Sequence, residues 1–308
     1  MLYFCTQTTN AGRTKYKTVI IGLGTIAHYH VAGLQRSEQF DLCAVCDLRE
    51  ETAHNPLWSN LPFYRDYETM LTAVRPDVAI IATPPAAHYT IAETCIAHRV
   101  KPFVEKPLAA TQEEGNLFFA DKLTGKYVPI CHTLYGPEML WLTNHLPLQK
   151  IDAIRMTLND PYADKDGQIA ERFKTLGGCW LDSAPNALSP LLRIVPSIEN
   201  VIVQHMRDKR NGLPYASLLT AQHNKTEIII DIAWHRAINH KQTEIEADGK
   251  HILIDHSAQA VFVNEERAYT AQGDRLTQQY TNFYRLYPHR VPKEEIMKYM
   301  YNIIYSNR

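Results

Sequence analysis

The sequence predicts an α/β protein: an N-terminal doubly wound parallel sheet, then a C-terminal α+β domain carrying an open, mostly antiparallel sheet. Three observations carry this prediction. Up to about residue 134, short apolar runs rich in β-branched residues alternate with helix patterns. From about residue 135, strand patterns follow one another with turns between them. A glycine-bearing turn joins the first strand to the first helix. At roughly 100–200 residues per domain, 308 residues make two domains, 1–134 and 135–308. Residues 1–15 read as an N-terminal extension.

KTVIIGL (17–23) is the first strand and AHYHVAGLQRS the first helix. FDLCAVCD (40–47) is the second strand, YETMLTAV (67–74) a short helix, DVAIIAT (77–83) a third strand and AAHYTIAETCIAHR its helix. KPFVEKP carries the next strand. TQEEGNLFFADKLTG opens with Thr111 and then acids, as helix N-termini prefer, and YVPICHT is the last strand of the series. In the second half IDAIRMTLND, VIVQHMRD, ASLLTAQH, TEIIIDIAWH, TEIEADG and KHILIDHS are strand-like. In TEIIIDIAWH, Ile228, Ile230, Ile232 and Trp234 share one face by the two-residue period, and Glu227, Asp231 and His235 share the other. Such half-polar alternation fits an antiparallel sheet. GGCWLDSAPNALSPLLRIV reads as a turn entering a helix, and the aromatic tail (Tyr280, Phe283, Tyr284, Tyr287, Tyr299, Tyr301, Tyr305) as packing or an oligomer contact.

A net charge of -1 argues against nucleic acid or an anionic membrane as partner. No run approaches the roughly 20 apolar residues of a membrane helix, and the first residues lack the pattern of a signal peptide. Six scattered cysteines fit a cytoplasmic chain with reduced thiols. Cys43 and Cys46, three apart on a strand, point to opposite faces and make neither a redox nor a metal pair. No ligand spacing marks a metal site.

The strongest local signal is Gly22-Leu23-Gly24-Thr25-Ile26-Ala27, which follows a strand and opens a helix. Gly22 permits a tight turn, Gly24 lets backbone approach a pyrophosphate, and Ala27 keeps helix and strand close. Thr25 and Ile26 begin the helix, whose free N–H groups and positive dipole end favour phosphate. This is the dinucleotide-binding turn of a Rossmann domain. Asp47 ends the second strand, where an acid binds ribose hydroxyls and favours NAD; Arg49, two residues on, could tolerate the 2′-phosphate of NADP.

With that turn placed, IATPPAAHYTIAETCIAHRVKPFVEKPLA resembles the matching stretch of the glucose–fructose oxidoreductase and inositol dehydrogenase family. The resemblance implies that Thr83 and Pro84 contact the nicotinamide side, that His88 and Glu105 belong to the cofactor side, and that Lys106 of Glu105-Lys106-Pro107 is the catalytic lysine. Pro85 stands where the family usually has Asn. GGCWLDSAPNALSPLL resembles the family's second-domain motif; Asp182 matches its acid, Ala184 replaces the usual Gly, and Asn186 the usual His. Within the family the chain is most similar to bacterial D-galactose and L-arabinose 1-dehydrogenases, which implies that Lys106, Asp182 and Asn186 surround a reacting C1 hydroxyl. His132, Asp160, Lys165 and Trp234 are then the candidate sugar contacts. The loop LNDPYADKDGQ (158–168) departs from those enzymes, which carry a tryptophan and a histidine there. The resemblance also implies a homo-oligomer joined through the C-terminal sheet.

Asn186 cannot take a proton at neutral pH. A hemiacetal hydroxyl is more acidic than an ordinary alcohol, so a weaker base suffices, and Lys106 beside a cationic nicotinamide could serve as a neutral base. The expected activity is NAD(P)-dependent oxidation of an aldose at C1 to the lactone. Two alternatives stay open: another polyol, inositol or keto sugar as substrate, or a non-catalytic regulator that binds NAD(P) and a sugar. Asp182 as a simple helix cap and Lys106 as a surface residue are the structural alternatives for those side chains.

Overall fold

A computed structural model describes residues 4–5, 15–120 and 122–308. The N-terminal extension, apart from Phe4–Cys5 and Lys15, lies outside them. The elements run β1 (Phe4–Cys5), β2 (Tyr16–Ile21), α1 (Ala27–Gln35), β3 (Phe40–Cys46), β4 (Phe63–Tyr64), α2 (Tyr67–Val74), β5 (Val78–Ile81), α3 (His88–Ala97), β6 (Lys101–Val104), α4 (Gln112–Phe118) and β7 (Val128–Pro129). They continue with α5 (Pro137–His145), β8 (Ile151–Asn159), α6 (Cys179–Ile194), β9 (Glu199–Arg207), β10 (Pro214–His223), β11 (Thr226–Ala233), β12 (His240–Ala247), β13 (Lys250–Asp255), β14 (Ala260–Val263) and β15 (Glu266–Thr270). The chain ends with α7 (Arg275–Leu286), β16 (Val291–Pro292) and α8 (Glu294–Ser306).

Contacts divide the chain into two compact units. The first holds the described residues up to His132 together with Leu276–Tyr299; the second holds Thr133–Arg275 and Met300–Arg308. This differs from a single cut at 134/135, because most of α7 returns to the first unit. Gly33 on α1 explains the return. A Cβ there would come within 2.9 Å of the Tyr284 ring and 3.0 Å of the Tyr280 backbone, so only glycine lets the two helices lie this close. The expected packing role of the aromatic tail holds at Tyr280, Phe283, Tyr284, Tyr301 and Tyr305, all buried. Phe283 and Tyr287 rest on Phe103 of β6 at ring distances of 5.7 and 4.9 Å.

The first unit carries a six-stranded sheet in the order β4-β3-β2-β5-β6-β7, every pair parallel. Its central strand β5 is wholly apolar and buried, and β2 is buried from Thr18 to Ile21, as a sheet covered on both faces requires. Strand order reverses between β2 and β5, the switch point at which open α/β sheets bind ligands beyond the carboxyl ends. Thr111 caps α4 as its sequence implied, accepting from Glu114 N at 3.2 Å, while the Glu114 carboxylate accepts from Ala110 N at 3.1 Å.

The second unit carries an eight-stranded sheet in the order β15-β14-β13-β12-β8-β11-β10-β9. All its pairs are antiparallel except β8 with β11. Ile228, Ile230, Ile232 and Trp234 are buried, as the alternation predicts. Strands β14 and β15 were not legible in the sequence pattern. α6 lies against β8, β10 and β11, burying Trp180, Leu181, Leu188 and Leu191. Among the described residues no helix is long and apolar enough to cross a membrane.

Candidate active site

Because the strands of the first sheet are parallel, the loops that leave β2, β3, β5 and β6 share one edge. Gly22 follows β2 with φ +97°, and an added Cβ would lie 2.6 Å from the Ala82 carbonyl. Its work is thus close approach to the β5 exit loop as well as the turn. Gly24 is the opposite case: nothing lies within 4 Å of its would-be Cβ. The missing side chain there leaves room for something other than protein. Thr25 and Ile26 lead into α1, and Ala27 is fully buried.

Asp47 leaves β3 and its Oδ2 accepts from Leu23 N at 2.8 Å, which ties the glycine turn to the second strand. Its Oδ1 accepts from Arg49 N (2.9 Å) and Nε (3.2 Å). Burial pushes this carboxyl up, but the Arg49 and Leu23 hydrogen bonds win and hold it below the ordinary range. Arg49 is therefore Asp47's partner in the free protein.

Thr83 and Pro84 follow β5. His88, at the start of α3, has no exposed surface. Its Nε2 sits 2.8 Å from Thr83 O, and its Nδ1 sits 3.1 Å from Pro107 O and 3.3 Å from Leu108 O. Burial holds the ring below the usual histidine range against the pull of these carbonyls. His88 thus clamps the loops after β5 and β6 together and has no face left to offer a cofactor.

Glu105 follows β6 and is likewise turned inward, 4% exposed. Its Oε1 accepts from the Tyr280 hydroxyl at 2.6 Å, and its Oε2 accepts from Lys106 N at 3.0 Å. Burial would raise its pKa, but His30, His132 and Tyr280 outweigh it and hold it at about 2. Glu105 and His88, which the sequence predicts as cofactor contacts, are thus turned inward as supports of the loops after β5 and β6. Lys106 is half-buried beside them. His132 is buried in the same unit, its Nδ1 2.8 Å from Gln279 Oε1 and its ring stacked on Tyr280 at 5.3 Å. That places the proposed sugar contact in the network around Glu105.

In the second unit, β8 and β11 end side by side. Asp160 N donates to Ala233 O at 3.0 Å, and Tyr162 N to Trp234 O at 3.0 Å. Trp234 is fully buried against Tyr162, ring centroids 5.2 Å apart. Asp160 is buried and accepts from Lys241 Nζ at 2.6 Å and from Asn239 Nδ2 at 3.0 Å. Lys165 is exposed in a turn whose backbone amides Asp166 N and Gln168 N bind Asp164 Oδ1 at 3.0 and 2.9 Å. α6 starts at Cys179 with Gly178 as its N-cap. Asp182 is therefore not the cap: it closes the first turn, buried, and accepts from Ser183 Oγ at 3.4 Å. Asn186 lies one turn later on the same helix face, half-buried.

Sequence reasoning missed Lys241, Arg275 and Gln279. Lys241 had a signal: with Thr243, Ile245 and Ala247 it occupies the inward face of β12, where a lysine is out of place unless paired. Burial holds its ammonium below the ordinary lysine range, with Asp160 opposing. Asp160 and Asp182, after burial itself, raise the Tyr162 phenol, while Arg275 and Arg172 pull it down, so these charges act on one another. Arg275 is half-buried and has no ion pair among the described residues.

Residues 16–120 match the glucose–fructose oxidoreductase, inositol dehydrogenase and MocA family, described as an oxidoreductase family with an NAD-binding Rossmann fold. This stretch is an NAD-binding Rossmann domain. The open cradle at Gly24, the close approach at Gly22 and the acid at Asp47 fit that cofactor on geometric grounds. A glycosyl hydrolase family 109 protein of Akkermansia muciniphila is 28% identical over 143 residues, 42% of this chain and 30% of that protein. The chain thus spans less than a third of that relative's length. The UDP-N-acetylglucosamine 3-dehydrogenase of Acidithiobacillus ferrooxidans superposes with TM-score 0.78 at 14% identity, covering 96% of this chain and 97% of the other. The WlbA dehydrogenase of Bordetella pertussis, in complex with NADH and UDP-GlcNAcA, gives TM-score 0.74 at 12% identity, with 96% of each chain covered. At such identities the likeness is one of fold, and it extends over the Rossmann domain and the second sheet alike.

Proposed function

We propose that this protein is an NAD-dependent dehydrogenase that oxidises a CH–OH group of a sugar, the C1 hydroxyl of an aldose of the D-galactose or L-arabinose type being the first candidate. The observation that carries the reading is a lysine, Lys106, held at the exit of β6 on the same sheet edge as an open NAD cradle. NAD, when bound, supplies the hydride acceptor. Lys106 takes the hydroxyl proton. Asp182 and Asn186 orient the hydroxyl, the amide both donating and accepting. Asp160 and Lys241, a buried pair, hold the end of β8 that presents the second unit's contacts.

A second reading has an observation of its own. Arg275, half-buried without an ion pair among the described residues, suits a phosphate or carboxylate on the substrate. That favours an acidic or nucleotide sugar, in line with the name of the Acidithiobacillus enzyme and the UDP-GlcNAcA bound in the Bordetella complex. The Akkermansia relative's name adds glycoside hydrolysis as a third outcome to assay.

The test is reduction of NAD or NADP by purified protein against aldoses, polyols, sugar acids and nucleotide sugars, with aryl glycosides in parallel. Turnover on a free aldose that is lost in Lys106→Met supports C1 oxidation. Turnover confined to sugar acids or nucleotide sugars, and lost in Arg275→Ala, replaces it with the second reading. Binding of NAD without turnover on any class sinks the dehydrogenase assignment.

A further inference from the structure

The carboxylate next to Lys106 is held by residues that no part of the proposed reaction requires. Glu105 is 4% exposed, so each of its bonds is made without competition from water. Oε1 accepts from the hydroxyl of Tyr280, a residue 175 positions away on α7, at 2.6 Å. His30 Nε2, on α1, faces the same oxygen at 3.0 Å; its alignment is off-line for a hydrogen bond, so its pull is electrostatic. The far side of that ring is fixed in turn, with His30 Nδ1 2.6 Å from the Tyr284 hydroxyl. The two ring nitrogens thus face the Tyr284 hydroxyl on one side and the Glu105 carboxylate on the other. The second oxygen, Oε2, accepts from the main-chain N–H of Lys106 at 3.0 Å. The His30 and Tyr280 rings meet edge to face at 4.5 Å, and Gly33, three residues past His30, gives α7 its place against α1.

We propose that Tyr280 and His30 are positioning residues for Lys106, acting through the Glu105 carboxylate that grips the lysine's main-chain N–H. α7, from the end of the chain, is on this account part of the machinery that sets where the lysine stands. The proposal rests on the reading that Lys106 takes the substrate proton. Tyr280 touches neither Lys106 nor the substrate in this role. Removing its hydroxyl leaves Glu105 with one donor fewer in a sealed place; the carboxylate turns to recover a partner, and its hold on Lys106 N loosens.

The experiment measures Lys106 directly as well as through turnover. Wild type, Tyr280→Phe and Tyr284→Phe are labelled with trace acetic anhydride across a pH series. Peptide mass spectrometry reads Lys106 acetylation relative to the exposed Lys150. The expected result for Tyr280→Phe is a threefold or larger change in relative Lys106 reactivity with a displaced pH midpoint. Tyr284→Phe shows a smaller change of the same sign. With the substrate in hand, kcat falls about tenfold while the NAD dissociation constant stays within twofold. If Tyr280→Phe does not fold, Tyr284→Phe alone decides. Reactivity and midpoint equal to wild type in the folded variants overturn the proposal. Full turnover of Lys106→Met, by contrast, overturns the role of Lys106 and leaves the labelling result to stand by itself.

Discussion

Gly22 and Gly24 lie two residues apart in one turn, yet alanine should injure them in different ways. At Gly22 the backbone has φ +97°, and the new Cβ would sit 2.6 Å from Ala82 C and O and 2.7 Å from Thr83 N. These are backbone atoms, so relief requires the β5 exit loop to retreat by about 0.8 Å, from 2.6 Å to ordinary contact at 3.4 Å. The strained dihedral costs about 1–3 kcal/mol, and overpacking about 1–3 kcal/mol more. At roughly 2–4 °C per kcal/mol for a domain of this size, the melting transition of Gly22→Ala should fall by about 5–20 °C. Gly24 has no positive φ, and a methyl there meets no protein atom within 4 Å. Gly24→Ala should therefore melt within about 2 °C of wild type and lose at least about tenfold in NAD affinity, or 1.4 kcal/mol. Calorimetry without cofactor and titration with NAD separate the two effects. Gly24→Ala protein that binds NAD as wild type does would show that the open space is not the cradle. Gly22→Ala protein that melts with wild type would refute the steric argument.

Three more outcomes follow from the geometry. Asp160→Asn leaves the buried Lys241 ammonium without its counter-charge and should cost the second unit about 3–5 kcal/mol in urea unfolding; adding Lys241→Met should recover part of that loss, and strict additivity would deny the coupling. Glu105 ionises at about 2 in the folded chain against 4.5 for an unperturbed glutamate. Its pKa is depressed by folding, so its contribution is complete above pH 4.5 and lost as pH falls toward 2. The stability gap between wild type and Glu105→Gln should therefore narrow across that window, and a gap that stays constant would contradict the assignment. Thr111→Ala removes the α4 cap and should lower stability by about 1 kcal/mol, with Thr111→Ser close to neutral in the same melt.

The sequence by itself determined the alternation of β2, α1, β3, α2, β5, α3, β6, α4 and β7, the glycine turn, Asp47 and the strand-end lysine, because these depend on local periodicity and on residues close in the chain; β4, only two residues long, left no pattern to read. α2 begins and ends where its pattern does, and α4 starts at its predicted cap. The alternation in β11 fixed which side of that strand is buried. Strands β14 and β15 escaped because they are short, and most of β15 is exposed on both faces, which leaves no alternation to read. Only the tertiary structure decided what His88, Glu105 and Trp234 do. Each has the residue type of a ligand contact, but packing turns each of them inward, onto backbone carbonyls, onto Tyr280 and onto Tyr162. It also decided where α7 belongs. Nothing in the spacing of a tyrosine-rich tail says that Tyr280 meets Glu105, because the complementary surface, Gly33 beside His30, lies about 250 residues earlier, and long-range fit of that kind is written in shape rather than in pattern.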